Sequence, residues 1–351
     1  MNTQSRSFRV LRYLIIILWS VFALFPVYWM VNTSLKPLPE WTSAGGRVYW
    51  VPSQVTIENY TGIILGGASM ANSNSALPAI RSSLIVGVLS TVLAVVVGTL
   101  AAYGLSRYQA SNQRALPLWA GLIRGFAAPL LTIPFLILFR NVLFEWQGPW
   151  LGVVVIFVFT FTLDRLIARL IRRRLDRNPD NLGFSILQLR MFPPIAILVP
   201  VVIMWSALRL SDTWYGLTLI YTVVTFPFVV WLMKSFFDEI PREVSEAAVV
   251  DGSSQWGVFL KVVLPLTKGG LASTALFVFI LNWSDFLIAL LITNRDWVTI
   301  PVFLQSVSSA ASQLYGPQSA LGVIALLPPV IFGLVIQRYL VRGLTFGAIK
   351  R

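Results

Sequence analysis

Long uncharged runs dominate this chain, and they decide what it can fold into. Residues 82–104 run from Ser82 to Gly104 without one ionisable carboxylate, ammonium or guanidinium. About twenty such residues in a helix match the thickness of a bilayer's hydrocarbon core. Lipid offers no water to bond backbone N–H and C=O groups, so a helix is the expected form. The same reading places spans near 12–33, 115–139, 150–170, 186–207, 214–236, 271–293 and 320–340. The predicted fold class is all-α, a polytopic transmembrane helical bundle of about eight spans. Composition agrees: of 351 residues 56% are hydrophobic and 12% charged, whereas a soluble domain carries about 25% charged residues.

Histidine and cysteine are both absent. That excludes disulfides in the outer loops, Cys/His zinc sites and histidine acid–base or proton-relay chemistry. No metal site, cofactor or catalytic residue is predicted. The formal charge is +13, but the basic residues flank apolar spans and no soluble basic domain exists to hold nucleic acid, so a nucleic-acid partner is not expected. With the N-terminus placed in the cytoplasm, nineteen of the 27 Lys and Arg residues fall inside, among them Arg172, Arg173, Arg174, Lys261 and Arg342. Six fall outside: Lys36, Arg47, Arg81, Arg140, Arg209 and Arg295. This asymmetry orients the chain with both termini, and the loop 238–268, in the cytoplasm. The first span is longer than a signal core, and Pro26 is followed by Tyr28 and Trp29 rather than a small-residue cleavage site, so it reads as a retained anchor. The outer loop 34–81 is rich in Pro, Gly, Ser and Asn, as turns require.

The loop 238–268 carries the most specific pattern. Pro241 suits the first position of a helix. Val244, Ala247, Ala248 and Asp251 then share a face at helical spacing, and the two alanines keep it thin. Gly252 is suited to a positive φ that reverses the chain. Ser253 or Ser254 can cap a second short helix. Trp256 and Phe259, three apart, are expected to form an aromatic knob, and Pro265 to end the helix. Glu246 and Asp251 offer carboxylates to a basic partner. A membrane-lying amphipathic hairpin is the bland alternative, but it would favour a Lys/Arg-rich polar face, and this first helix is mainly acidic.

The spacing of Glu246-Ala247-Ala248, Gly252 and Val262-Val263-Leu264-Pro265 resembles the "EAA" loop of ATP-binding-cassette importer permeases. The resemblance extends to a maltose-type carbohydrate permease, the second membrane subunit of such importers. It rests on Phe25-Pro26-Val27-Tyr28, Ser34-Leu35-Lys36, Glu58-Asn59-Tyr60 and Ala101-Ala102-Tyr103-Gly104-Leu105-Ser106-Arg107-Tyr108. It continues through Met191-Phe192-Pro193-Pro194, Asp212-Thr213, Tyr215-Gly216-Leu217 and Phe236-Phe237-Asp238-Glu239-Ile240-Pro241, then Asn282-Trp283-Ser284-Asp285-Phe286-Leu287 and the tail 337–345.

The resemblance implies a bacterial inner-membrane subunit that docks on two cytoplasmic ATPase subunits through Glu246, Ala247, Ala248, Asp251, Gly252, Trp256, Phe259, Leu264 and Pro265. It also implies a homologous second permease and an extracytoplasmic solute-binding protein, with ATP bound by the ATPase partners and membrane lipid around the bundle. The segments are then 1–108 with two spans, an inserted pair of spans in 109–185, and a permease core in 186–351. The insert departs from the family's usual six spans. Because it adds an even number, the later spans keep their direction.

Among ionisable groups in spans, Asp285 sits with Asn282, Trp283 and Ser284, a set able to bind sugar hydroxyls and stack on a sugar ring. The same set could simply bond helix to helix. Arg124 could pair with Asp164 in the next inserted span. No phosphate-binding Gly-x-x-x-x-Gly-Lys-Ser/Thr run occurs, so the chain is expected to hydrolyse no ATP itself. The alternatives are an ion-coupled secondary transporter, an importer for a glycerol-phosphate-type solute, and an integral-membrane enzyme. The first should show matched internal repeats with broken helices, and the last clustered His, Cys or paired carboxylates.

Overall fold

A computed structural model describes residues 6–41, 48–66, 75–107, 194–307 and 314–347. The inserted spans 115–139 and 150–170, with Arg124 and Asp164, lie outside these residues, as does the start of the 186–207 span. Every regular element among the described residues is helical. Among the described residues, four helices are long and apolar enough to cross a membrane: α1 (Arg6–Ser34), α4 (Leu77–Arg107), α6 (Trp214–Asp238) and α12 (Tyr315–Gly347). A fifth crossing exists if α8 (Gln255–Leu266) and α9 (Lys268–Trp283), bent by 77°, count as one. The shorter elements are α2 (Leu38–Trp41), α3 (Glu58–Leu65), α5 (Pro194–Ala207), α7 (Arg242–Val250), α10 (Leu287–Ile292) and α11 (Ile300–Ser306).

The chain divides into two compact units, 1–81 with 300–330 and 82–299 with 331–351. In the first, side chains close the turn after α1. Asn59 donates through Nδ2 to the carbonyls of Ser34 (2.9 Å) and Lys36 (2.8 Å). Ser34 Oγ and the Tyr60 hydroxyl are 2.7 Å apart. Asn32 Nδ2 and the Tyr28 hydroxyl both donate to the carbonyl of Trp50. Lys36, only 3% exposed, donates to the Tyr49 carbonyl and lies 4.5 Å from the centre of the Trp29 ring. Burial lowers the Lys36 pKa, and the Glu40 charge partly opposes it. Three of the short sequence patterns around Tyr28, Ser34–Lys36 and Asn59–Tyr60 are therefore one hydrogen-bonded corner.

Among the described residues, the second unit holds a small apolar cluster around Leu208 and Leu210 and two larger ones, which position residues 242–267 and 284–286. One joins Ala94, Ala102 and Tyr103 of α4, Val229, Val230, Met233 and Phe237 of α6, Val258, Phe259 and Val263 of α8, and Val278 of α9. Here α4 and α6 touch backbone to side chain: a Cβ at Gly98 would stand 2.6 Å from Val229 Cγ1. The other cluster joins Val86, Leu198, Leu217, Ile220, Tyr221, Ile288 and Ile292. Between α5 and α6, the Asp212 carboxylate accepts N–H bonds from Arg295, Asp296 and Trp297 at 2.9–3.0 Å. Thr213 caps α6 by accepting from Gly216 N. Burial pushes the Asp212 pKa up, but the backbone N–H groups of Asp296, Trp297, Arg295 and Asn294 outweigh it and hold the carboxyl below its ordinary value.

The predicted 271–293 span is not one helix. α9 stops at Trp283, and α10 starts at Leu287. Ser284 Oγ turns back to the Ile280 carbonyl (2.7 Å), while the Asp285 carboxylate, one residue before the helix N-cap Phe286, accepts from Ala289 N (3.2 Å). An aspartate in an apolar run competes for backbone N–H groups, and here it breaks the helix.

Candidate functional site: an exposed elbow on a buried base

α7 begins after Pro241, whose φ of −54° and ψ of 138° set the entry. It contains no buried residue. Its end is a Schellman stop. Ser253 N donates to the Ala248 carbonyl (3.0 Å), Gly252 N to the Val249 carbonyl (3.0 Å), and Gly252 has φ +86°. Such a stop needs its left-handed residue four positions after the carbonyl that receives the longer bond. The spacing from Ala248 to Gly252 supplies it. Ser254 then caps α8 by accepting from Gly257 N (3.2 Å).

Within α8, residues Val258–Val263 wind as a π-helix, and Leu264 N donates five residues back to the Phe259 carbonyl. Pro265 has no N–H to continue the ladder, and the chain bends at Thr267, whose hydroxyl returns to the Val263 carbonyl (3.2 Å). The proline therefore marks the bend, with the helix running one residue beyond it to Leu266.

The elbow's sequence-predicted residues separate into two groups. Glu246, Ala247, Asp251, Gly252, Trp256 and Pro265 are exposed, Trp256 by 64%. Ala248 and Leu264 pack against the buried cluster. Phe259 is 4% exposed. Its ring lies 4.7 Å from that of Tyr103 and 6.5 Å from that of Phe237. Trp256 and Phe259 form the expected aromatic pair, edge to face at 6.1 Å, but with unequal exposure: Trp256 projects, and Phe259 anchors. The predicted thin face is divided, because Ala248 turns toward the chain's own core. Burying Phe259 stabilises the base by about 1.5–3 kcal/mol.

Three residues at the elbow's base carry contacts that the sequence reading did not assign. Arg107 Nη2 donates to the carbonyls of Phe237 (3.2 Å) and Ile240 (3.1 Å), capping the end of α6. Ser106 Oγ donates to Asp238 (2.6 Å), and Asp238 is also paired with Lys234. The signal was present in Leu105-Ser106-Arg107-Tyr108, but a 130-residue separation hid the partner.

The intramembrane set also separates. Asn282 is buried and donates to Ser90 Oγ (2.9 Å). Trp283 is buried and stacks on Phe279 (5.5 Å, 29°). Ser284 is exposed, and half-buried Asp285 accepts from the Tyr221 hydroxyl (2.9 Å).

Residues 165–346, which contain both regions, match the family described as "Binding-protein-dependent transport system inner membrane component". The chain belongs to that family. It is a multi-pass inner-membrane permease. It is 30% identical over 94% of its length, and 93% of the relative's, to the trehalose transport system permease protein SugB of Mycobacterium tuberculosis. It is 26% identical over 97% of both chains to the trehalose/maltose transport system permease protein MalG of Thermococcus litoralis. Its fold matches, at a TM-score of 0.60 and 18% identity over 97% of this permease and 99% of the other chain, a crystal structure of a bacterial ABC transporter involved in the import of the acidic polysaccharide alginate.

Proposed function

We propose that this permease carries a carbohydrate inward across the bacterial cytoplasmic membrane, powered by ATP hydrolysis on two separate subunits that dock on the elbow. The observation that carries this reading is the elbow itself: an exposed helix, stopped by a left-handed turn, on a base anchored by buried Phe259. A part that receives force from a partner must be accessible at its tip and stiff at its root, and residues 242–267 meet both conditions. Glu246, Ala247, Asp251, Gly252 and Trp256 form the docking face. Ala248, Phe259 and Leu264 form the seat, and Pro265 sets the bend. The distribution of Lys and Arg puts this elbow, and both termini, in the cytoplasm. A homologous permease completes the pore, and an extracytoplasmic solute-binding protein supplies solute. With the two inserted apolar spans, 115–139 and 150–170, and the span near 186–207, the chain has about eight spans.

The carbohydrate assignment is supported by the named solutes of the relatives, trehalose and maltose. In the substrate path, Ser284 and Asp285 are the groups placed to meet a solute hydroxyl, and Asn282 and Trp283 hold the break in position. Purification of the chain with its membrane and cytoplasmic neighbours tests the reading. Co-isolated ATPase whose hydrolysis rises with sugar-loaded binding protein is the expected result. Proton-coupled uptake by this chain alone would overturn it.

A further inference from the structure

We propose that Arg107 and Ser106 are positioning residues that hand the elbow's movement to α4, and through α4 to the break at Ser284–Phe286. This inference rests on the docking role of the elbow proposed above. The elbow has an entry at Phe237–Ile240 and a seat at Phe259, and the last turns of α4 hold both. Arg107 bonds the carbonyls of Phe237 and Ile240, where α6 gives way to the elbow. Ser106, one residue before Arg107, bonds Asp238, which lies between Phe237 and Ile240. Tyr103 lies edge-on to Phe237 at 5.7 Å and 4.7 Å from Phe259. The Arg107 Nε is buried with no hydrogen-bond partner.

Displacing the elbow therefore displaces the end of α4. That helix is continuous to Ser90, about 25 Å away at 1.5 Å per residue. Ser90 accepts from Asn282, next to the break. Along the way, Gly98 seats α4 so closely on Val229 that the two helices cannot slide past each other freely. A rigid element bonded near both sites is one physical route by which coupling passes between them.

The chain has no native cysteine, so single cysteines report cleanly. Two are placed, Val250→Cys at the exposed elbow tip and Ser284→Cys at the exposed break, each with and without Arg107→Gln, in the complete transporter in proteoliposomes. Arg107→Gln is expected to leave Val250→Cys crosslinking to the ATPase within about twofold of its parent. It should abolish the ATP-dependent change in Ser284→Cys labelling and lower uptake about tenfold. Ser106→Ala should act in the same direction with a loss of about twofold to threefold. An unchanged ATP response at Ser284→Cys in the Arg107→Gln background would overturn the proposal. So would joint loss of crosslinking and uptake, which would make Arg107 only a support for the elbow's shape. Absence of crosslinking in the Val250→Cys parent would instead sink the docking reading itself.

Discussion

The elbow at 242–267 and the break at 282–287 are both interruptions of helices by polar residues, yet they are built in opposite ways. At the elbow, bonds made within a few residues fix the shape: Ser253 N to the Ala248 carbonyl, Gly252 N to the Val249 carbonyl, and Gly257 N to Ser254 Oγ. Its acids face outward, and only its base is buried. At the break, side chains reach across the unit: Asn282 to Ser90 and Asp285 to Tyr221. The first arrangement leaves a surface free for another molecule. The second spends Asn282 on an internal partner and ties Asp285 to Tyr221, as low dielectric favours, and leaves only Ser284 exposed. Exposed polarity with local support marks a contact surface, and buried polarity with distant partners marks a joint.

The sharpest way to break this contrast is to destroy the elbow's local turn. Gly252→Pro cannot adopt φ +86° and removes the N–H that reaches Val249. Sugar uptake should fall about a hundredfold, roughly 2.7 kcal/mol at 1.36 kcal/mol per decade, while the protein still inserts and ATPase activity persists uncoupled. Normal uptake by this variant would remove the elbow from the mechanism.

A second test, read on stability rather than on transport, addresses the unequal roles of the two aromatics. Phe259→Ala should cost about 3–5 kcal/mol of stability, read as a lower melting temperature of the detergent-purified chain. Trp256→Ala should leave that temperature unchanged and weaken ATPase association by about 2 kcal/mol in a binding titration. Equal thermal effects would mean that the two roles do not differ as described.

At the break, Tyr221→Phe removes one neutral-to-carboxylate donor and should cost about 1.5–3 kcal/mol if Asp285 stays ionised, or about 1 kcal/mol if it is protonated. Denaturation of the purified chain distinguishes the two values. No measurable cost would show that Asp285 holds the break without Tyr221.

The smallest effect concerns Asp212, whose carboxylate is held below its ordinary pKa by the 295–297 backbone. A depressed folded value contributes stability above the unfolded pKa of about 3.9 and loses it as pH falls through the folded value. The stability difference between the native chain and Asp212→Asn should be constant from neutral pH to about 5 and vanish in stronger acid. A difference that grows on acidification would reverse the sign.

The elbow was legible because its information is short-range. Ala248 and Gly252 are four apart, Ser254 and Gly257 three apart, and Pro265 acts on its own ladder, so propensity and spacing suffice. Of the spans, those starting near 12, 82, 214 and 320 were readable from apolar length alone. The continuity assumed for 271–293 was not: hydropathy counts side chains and ignores an aspartate's competition for backbone N–H groups.

By itself the sequence determined that this chain is a helical membrane protein, where its chain-reversing elbow lies and which family it resembles, since bilayer thickness and local backbone geometry act over a few to about twenty residues. Only the tertiary structure decided that Phe259 anchors while Trp256 projects, and that Arg107 meets the end of α6. It also decided that Asn282 is spent on Ser90. Those outcomes depend on which residues more than a hundred positions apart share a buried face, and no local pattern carries that information.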